Sequence, residues 1–201
     1  MKILSLSEKS SLSGLLDVLR RGAVLVLPSD TIYGFSCQAG NKKAIDRIYE
    51  IKNRPKEKSF IILCSDLKMI KKYFVINSFQ EKVLQIFLND SKARPTTFIL
   101  EPQKDKLAFF SGQENMGIAV RLPKNKFLSK MIEELKTPII STSCNLSGQA
   151  SLNNLNKIFS FFKKQKHQAD YLVRLKKYRP KRRPSRIIDI RESDNLKIIR
   201  E

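Results

Sequence analysis

The sequence predicts an α/β protein of one domain, built on a twisted, mixed β-sheet flanked by helices. Three observations carry this. Apolar runs rich in β-formers alternate irregularly with segments whose apolar residues recur at helical spacing. Several strand-like runs follow one another near the middle of the chain, which favours a mixed sheet over strict βαβ repetition. No shift of composition divides the 201 residues.

The elements follow in order. Apolar residues at 12, 15, 16, 18 and 19 give a first helix, and Gly22 after two arginines reads as its stop. Residues 23–28, AVLVLP, form a continuous apolar run of the kind found in a strand buried on both faces. Asn41 caps a helix carrying Ala44, Ile45, Ile48 and Ile51, with Pro55 just beyond its end. Residues 59–64, SFIILC, are a second buried strand. Helical patterns cover 66–72 and 78–89, and strands begin at Thr96 and Ile118. A helix over 126–135 leads into the short strand PIIS. The last third holds a helix near 152–162 and strands near 171–175, 186–190 and 197–200. Eleven basic residues against one acid mark 163–186, which reads as an exposed loop and hairpin.

Composition excludes several chemistries. Apolar residues make up 41% of the chain, enough for a core, and no apolar run approaches the ~18 residues of a membrane span. The start, MKILSLSEKS, is too short in apolar residues for a secretory signal. Cys37, Cys64 and Cys144 are odd in number and widely spaced, and His167 is the only histidine. A zinc site, a disulfide framework and a Ser-His-Asp triad are therefore disfavoured, and a reducing cytoplasmic location is expected. The formal charge of +20 attracts polyanions such as ATP, RNA or acidic membrane surfaces.

Four apolar runs end in polar clusters: LPSDTIYG (27–34), IKNRPKEKS (51–59), AVRLP (119–123) and STSCNLSG (141–148). In open α/β sheets ligands gather where strand ends meet loops. Each cluster also has a purely structural reading. PSDT suits a capped turn, KNRPKEK a solvated helix end, and STSCNLSG a tight Asx and Ser/Thr turn. Taken together they offer Lys52 and Arg54 as cations, and Ser141, Ser143, Asn145 and Ser147 as neutral donors. That donor set suits an oxyanion-rich ligand such as a nucleotide triphosphate. Neither a GxxxxGK[ST] loop nor GxGxxG occurs, so the standard NTPase and dinucleotide sites are disfavoured.

These residues also carry a resemblance. The stretch VLVLPSDTIYGFSCQAGNKKAIDRIYEIKNRP resembles the opening signature of the YrdC/TsaC family, PTDTxYGL followed by KxR. PTTFIL is similar to its PGPxTxIL strand, GIAVRLP to GxRxP, and STSCNLSG to SANxSG. PSRIIDI and IIR resemble the terminal PSTIxD and ILR. The matches run in order from about residue 22 to residue 200, nearly the whole chain.

The resemblance implies an L-threonylcarbamoyladenylate synthase, which joins L-threonine, bicarbonate and ATP and releases pyrophosphate. Its product serves N6-threonylcarbamoylation of adenosine 37 in tRNA. The implied fold is a single YrdC-like domain over 1–201, an open twisted sheet with a positively charged concave cleft. The family's Lys-Arg-Ser-Asn set falls on Lys52, Arg54, Ser143 and Asn145 as catalytic and phosphate-holding residues, joined by Ser141 and Arg200 for ATP. Ser29, Thr31 and Tyr33 are expected near threonine, with Arg121 or Ser141 for its carboxylate. Mg²⁺ is expected on the phosphates, with no metal ligated by protein. The partners implied are tRNA and a complex that transfers the threonylcarbamoyl group; no membrane is involved. Several positions depart from the pattern. Ser29 stands for Thr, Phe35 for Leu, Cys144 for Ala, Ala93-Arg94 for Pro-Gly, and Arg186 for the Thr of PSTIxD. Two alternatives remain open: a double-stranded RNA or tRNA-binding module, and a paralogue that keeps the cleft without this activity.

Overall fold

Side-chain caps set most of the helix starts. Asn41, Asp66, Asn77, Asn125 and Asn154 each accept a hydrogen bond from a helical N–H two or three residues on, satisfying donors that the first turn leaves unpaired. The computed structural model describes residues 1–6, 12–90, 92–103, 106, 117–176, 178, 180, 183–192 and 195–201. The helices are α1 (Ser13–Arg20), α2 (Lys42–Lys52), α3 (Leu67–Tyr73), α4 (Ser78–Asn89), α5 (Lys126–Leu135) and α6 (Leu155–Lys163). Gly22 follows α1 at φ 86°, a conformation that favours glycine.

The strands are β1 (Lys2–Leu6), β2 (Leu25–Pro28), β3 (Tyr33–Gln38), β4 (Ile61–Leu63) and β5 (Thr96–Leu100), then β6 (Ile118–Arg121), β7 (Ile139–Ser143), β8 (Tyr171–Leu175), β9 (Arg186–Asp189) and β10 (Lys197–Arg200). They form one mixed sheet in the order β1-β8-β2-β3-β7-β4-β6-β5-β9-β10. The β1/β8, β8/β2, β4/β6 and β5/β9 pairs are parallel, and the others are antiparallel.

Alternation along the strands divides the apolar residues between two faces. Val26, Phe35, Ile62, Phe98, Val120 and Ile140 pack with Ile45 and Ile48 of α2 and Ile158 and Phe162 of α6. Phe35 and Phe162 meet edge to face, with ring centroids 4.8 Å apart. Leu25, Leu27, Leu63, Ile139 and Val173 pack on the other side with Leu15, Leu16 and Leu19 of α1 and Leu128, Met131 and Ile132 of α5. On that second face the same two-residue period places Ser141 and Ser143 beyond Ile139, Arg121 opposite Leu63, and Thr97 next to Phe98. One sheet face thus changes from apolar to polar side chains along its strands.

Two strands, β1 and β3, are absent from the sequence reading. In β3 the residues Phe35 and Cys37 are fully buried, although glycine, serine and glutamine interrupt the apolar pattern. The hairpin expected within 163–186 is corrected: β8 lies inside the sheet, parallel to both β1 and β2. Leu172 and Val173 are fully buried there, and Tyr171 and Leu175 pack against the core beside Val173. Residues 177, 179, 181 and 182 of that basic stretch lie outside the described residues.

Candidate active site

The end of α2 builds the first half of the site. Asn53 takes the left-handed conformation at φ 47°, ψ 52°, and the Arg54 N–H donates back to the Tyr49 carbonyl at 3.0 Å. Asparagine tolerates this helix-ending geometry better than most residues. Lys52 is thereby left on the last turn, with its side chain turned inward. Only 1% of it is exposed. Its ammonium donates to the carbonyls of Ser143 (2.6 Å) and Asn145 (3.0 Å) and to Asn145 Oδ1 (2.8 Å). Ser143 Oγ also donates to Asn145 Oδ1 at 2.6 Å, and Asn145 Nδ2 donates to the Gln149 carbonyl at 2.6 Å. The Ser147 N–H donates to the Lys52 carbonyl at 2.7 Å. The 143–149 turn is therefore wound around one buried cation. Burial pushes the Lys52 ammonium down to about 8 from its ordinary 10.5, with the neighbouring Arg54 adding to the effect.

Close backbone contact brings β7 to this point. A Cβ on Gly34 would lie 2.8 Å from the Thr142 carbonyl oxygen and 3.1 Å from Ser141 Oγ, so the glycine of the YG pair lets β3 and β7 approach. Arg54 turns instead to its own loop, donating to the carbonyls of Lys58 and Ser59, each at 3.0 Å. Its guanidinium stacks on Phe60, 5.3 Å from the ring centroid.

The turn between β2 and β3 builds the second half. Ser29 Oγ lies 2.8 Å from Thr31 Oγ1 and donates to the Ile32 carbonyl at 2.6 Å. Arg121 donates to Thr31 Oγ1 at 3.2 Å and pairs with Asp30 at 3.3 Å. Tyr178 OH donates to the Ser29 carbonyl at 3.0 Å, and the Lys124 N–H donates to Asp30 Oδ2 at 3.1 Å. Ser29, Asp30, Thr31, Tyr33 and Arg121 are all buried. Burial pulls the Arg121 guanidinium below its ordinary range, while Asp30 opposes that shift. Arg121 Nε and Asp30 Oδ1 are buried without a hydrogen bond among the described residues.

The structure thus gathers Lys52, Ser143 and Asn145 into one cluster and Ser29, Thr31 and Arg121 into another. Ser141 stands on β7 beside the first cluster. Arg54 is tied to residues 58–60, and Arg200 is tied elsewhere: it donates to the Ser185 carbonyl at 3.1 and 2.7 Å. Among the described residues, no group of three or more His, Cys, Asp or Glu side chains could hold a metal ion.

A family model described as telomere recombination, covering the Sua5, YciO and YrdC proteins, matches residues 17–201. The chain belongs to the Sua5/YciO/YrdC family. Threonylcarbamoyl-AMP synthase of Pseudoalteromonas translucida (strain TAC 125) is 29% identical over 161 residues, 80% of this chain and 84% of that protein. The protein of the same name from Vibrio vulnificus (strain YJ016) is 28% identical over 150 residues, 74% of this chain and 79% of that protein. Among solved structures, E. coli YciO superposes with a TM-score of 0.84 at 23% identity, over all of this chain and 96% of its own. P. abyssi Sua5 complexed with L-threonine gives 0.80 at 22% identity, over 96% of this chain and 56% of that one. At these identities the superpositions show a shared fold.

In this Sua5/YciO/YrdC chain, sequence reasoning missed four site neighbours. Asp30 sits inside the quoted PSDT motif, and its pairing with Arg121 spans 91 positions of chain, a separation that spacing does not reveal. Thr97 and Ser185 lie inside the PTTFIL and PSRIIDI stretches, and a buried hydroxyl contact of 2.8 Å joins the two. Tyr178 lies in the basic stretch and carries no motif. Cys144, already named as a departure from the family's Ala, is fully buried beside Lys52, and burial drives its thiol far above the ordinary range, which is the opposite of an activated nucleophile.

Proposed function

We propose that this chain is an L-threonylcarbamoyladenylate synthase. In this reading the amine of threonine adds to bicarbonate with loss of water, giving a carbamate. A carbamate oxygen then attacks the α-phosphorus of ATP, and pyrophosphate leaves. No side chain needs to form a covalent bond, so catalysis rests on positioning and on stabilising charge. The observation that carries the reading is the shared sheet face of Ser141, Ser143 and Arg121. It places a loop of neutral donors organised by a buried cation on the same face as a guanidinium.

The two clusters take different substrates. Ser143, Asn145 and Ser141 serve the phosphates, and Arg54 and Arg200 join them by giving up carbonyl partners they hold here. Lys52 acts through the loop it holds and through its charge, because its donors are already engaged with Ser143 and Asn145. Ser29, Thr31, Tyr33 and Arg121 serve threonine. Mg²⁺ would be carried by the triphosphate oxygens, where it would neutralise charge. The threonylcarbamoyl group is passed on, with a partner complex, to adenosine 37 of tRNA in the cytoplasm. The two threonylcarbamoyl-AMP synthases at 28–29% identity support this assignment, and no helix among the described residues is long and apolar enough to cross a membrane.

The test combines protein, ATP, Mg²⁺, bicarbonate and L-threonine and follows pyrophosphate and the adenylate. Formation that requires both threonine and bicarbonate is expected. Tight, salt-sensitive RNA binding without any threonine-dependent product would assign the chain to the binding-module reading suggested by its charge of +20.

A further inference from the structure

Arg94 and Arg186, two of the positions that depart from the family pattern, meet at one place. Both guanidiniums converge on a single oxygen of Glu201: Arg94 donates to Oε2 at 3.1 Å, and Arg186 Nε lies 3.4 Å from it. The two arginine side chains are 19% and 31% exposed, but Glu201 is 60% exposed. A carboxylate so open to water is held weakly. It also leaves the arginines undersupplied. The Nε atoms of Arg94 and Arg186 are buried and make no hydrogen bond among the described residues.

Further arginines lie close by. Arg94 also donates to the Pro184 carbonyl at 3.5 Å, one residue from the Ser185 that holds Arg200. Burial, then the charges of Arg121 and Arg94, hold the Arg200 guanidinium below its ordinary range, so these cations feel one another. Among the described residues, Arg94 and Arg186 share Glu201, Arg121 pairs with Asp30, and Arg200 donates to the Ser185 carbonyl rather than to a carboxylate. Guanidinium forks match the several oxygens of a phosphate better than one oxygen of a side-chain carboxylate.

We propose that Arg94 and Arg186 form an anion seat for a phosphate group, and that Glu201 occupies it as an internal competitor. The seat lies where β5 pairs with β9, beside the Arg200 assigned above to the ATP phosphates. It adjoins that reading, and its test uses neither ATP nor threonine, so the two can fail separately. When a phosphate enters, Glu201 swings out to solvent and its two arginine contacts pass to phosphate oxygens.

Calorimetric titration with inorganic pyrophosphate, without ATP or threonine, tests this on wild type, Glu201→Gln, Arg186→Gln and the double variant. Glu201→Gln should bind about two- to fivefold tighter, the scale of removing one exposed ion-pair competitor. Arg186→Gln should bind more weakly, and the double variant should lose the gain, because the two residues act through one seat. Arg94→Gln, checked by thermal melting for an intact fold, should behave as Arg186→Gln does. Pyrophosphate bound elsewhere contributes equally to both arms and cancels. With inorganic phosphate as the probe, the same gain assigns the seat to a single tetrahedral group; a gain with pyrophosphate alone assigns it to a diphosphate that also reaches Arg200. Unchanged affinity in Glu201→Gln, or a gain that survives in the double variant, overturns the proposal. So does a gain seen only with a short RNA duplex.

Discussion

Lys52 Nζ and Asn145 Oδ1 lie 2.8 Å apart, joining the last turn of α2 to the turn after β7. The contact spans 93 positions of chain. It ties together two polar clusters that, in sequence, are only two separate motifs. The ammonium it uses is buried, so this loop is organised from behind by a charge that solvent does not reach.

Replacing that charge should unfasten the loop. Lys52→Met keeps the apolar stem but leaves the Ser143 and Asn145 acceptors without their donor, which should cost about 2 to 3 kcal/mol. Urea denaturation measures the loss. In the synthase assay the rate should fall further than stability explains, because Ser143 and Asn145 lose their fixed positions. Full synthesis by a folded Lys52→Met protein would remove Lys52 from the site.

The same residue predicts a pH limit. Its folded value of about 8 lies below the ordinary 10.5 of an unfolded lysine. Between those values the unfolded chain holds the extra proton, so the contribution of Lys52 to stability rises with pH across that window. Activity should move the other way. Above about pH 8 the neutral amine has fewer donors for its three acceptors and no charge to lend the phosphates. Synthesis should decline on this basic limb while urea midpoints do not fall for this reason. A rate that stays flat to pH 10 would contradict the assignment.

Asp30 and Arg121 form the other buried pair, 3.3 Å apart with side chains only 6% and 4% exposed. Asp30→Asn leaves the guanidinium charge without its counter-ion, and losses of about 3 to 5 kcal/mol are typical of such a break. Removing both charges, as in Asp30→Asn with Arg121→Met, should cost less than the sum of the single changes. Threonine titration of Asp30→Asn should show a raised KM, since Asp30 sets the position of Arg121. An effect on stability below ~1 kcal/mol would mean the pair behaves as an exposed one.

Two small changes separate packing from chemistry. Gly34→Ala puts a methyl 2.8 Å from the Thr142 carbonyl oxygen, and overpacking of this kind should destabilise by about 1 to 3 kcal/mol. Cys144→Ala, in contrast, should keep synthesis near the wild-type rate, because the thiol is buried and held protonated. Loss of threonine-dependent pyrophosphate release in a folded Cys144→Ala protein would restore the cysteine as a candidate nucleophile.

How legible the fold was depended on how local its signals are. Helix α5 follows its reading over 126–135 to the residue, because the asparagine cap just before it and the clean apolar stripe along it are both local. Strand β3 was invisible, because its core residues Phe35 and Cys37 are separated by serine and preceded by a glycine that serves a neighbour. Strand β8 was read, but its seat inside the sheet was not, since parallel pairing with β1 and β2 joins residues far apart in the chain.

The sequence by itself determined the α/β class, most element positions, and the resemblance that named the Lys-Arg-Ser-Asn set. Those follow from periodicity, caps and ordered motifs, all of which are local. Only the tertiary structure decided that Lys52 faces inward while Arg54 turns to its own loop, that Asp30 is the partner of Arg121, and that Glu201 bridges Arg94 and Arg186. Each of these depends on which distant strands the sheet makes neighbours. A charge buried beside a carbonyl and a charge left in water are written with the same letter, and only burial tells them apart.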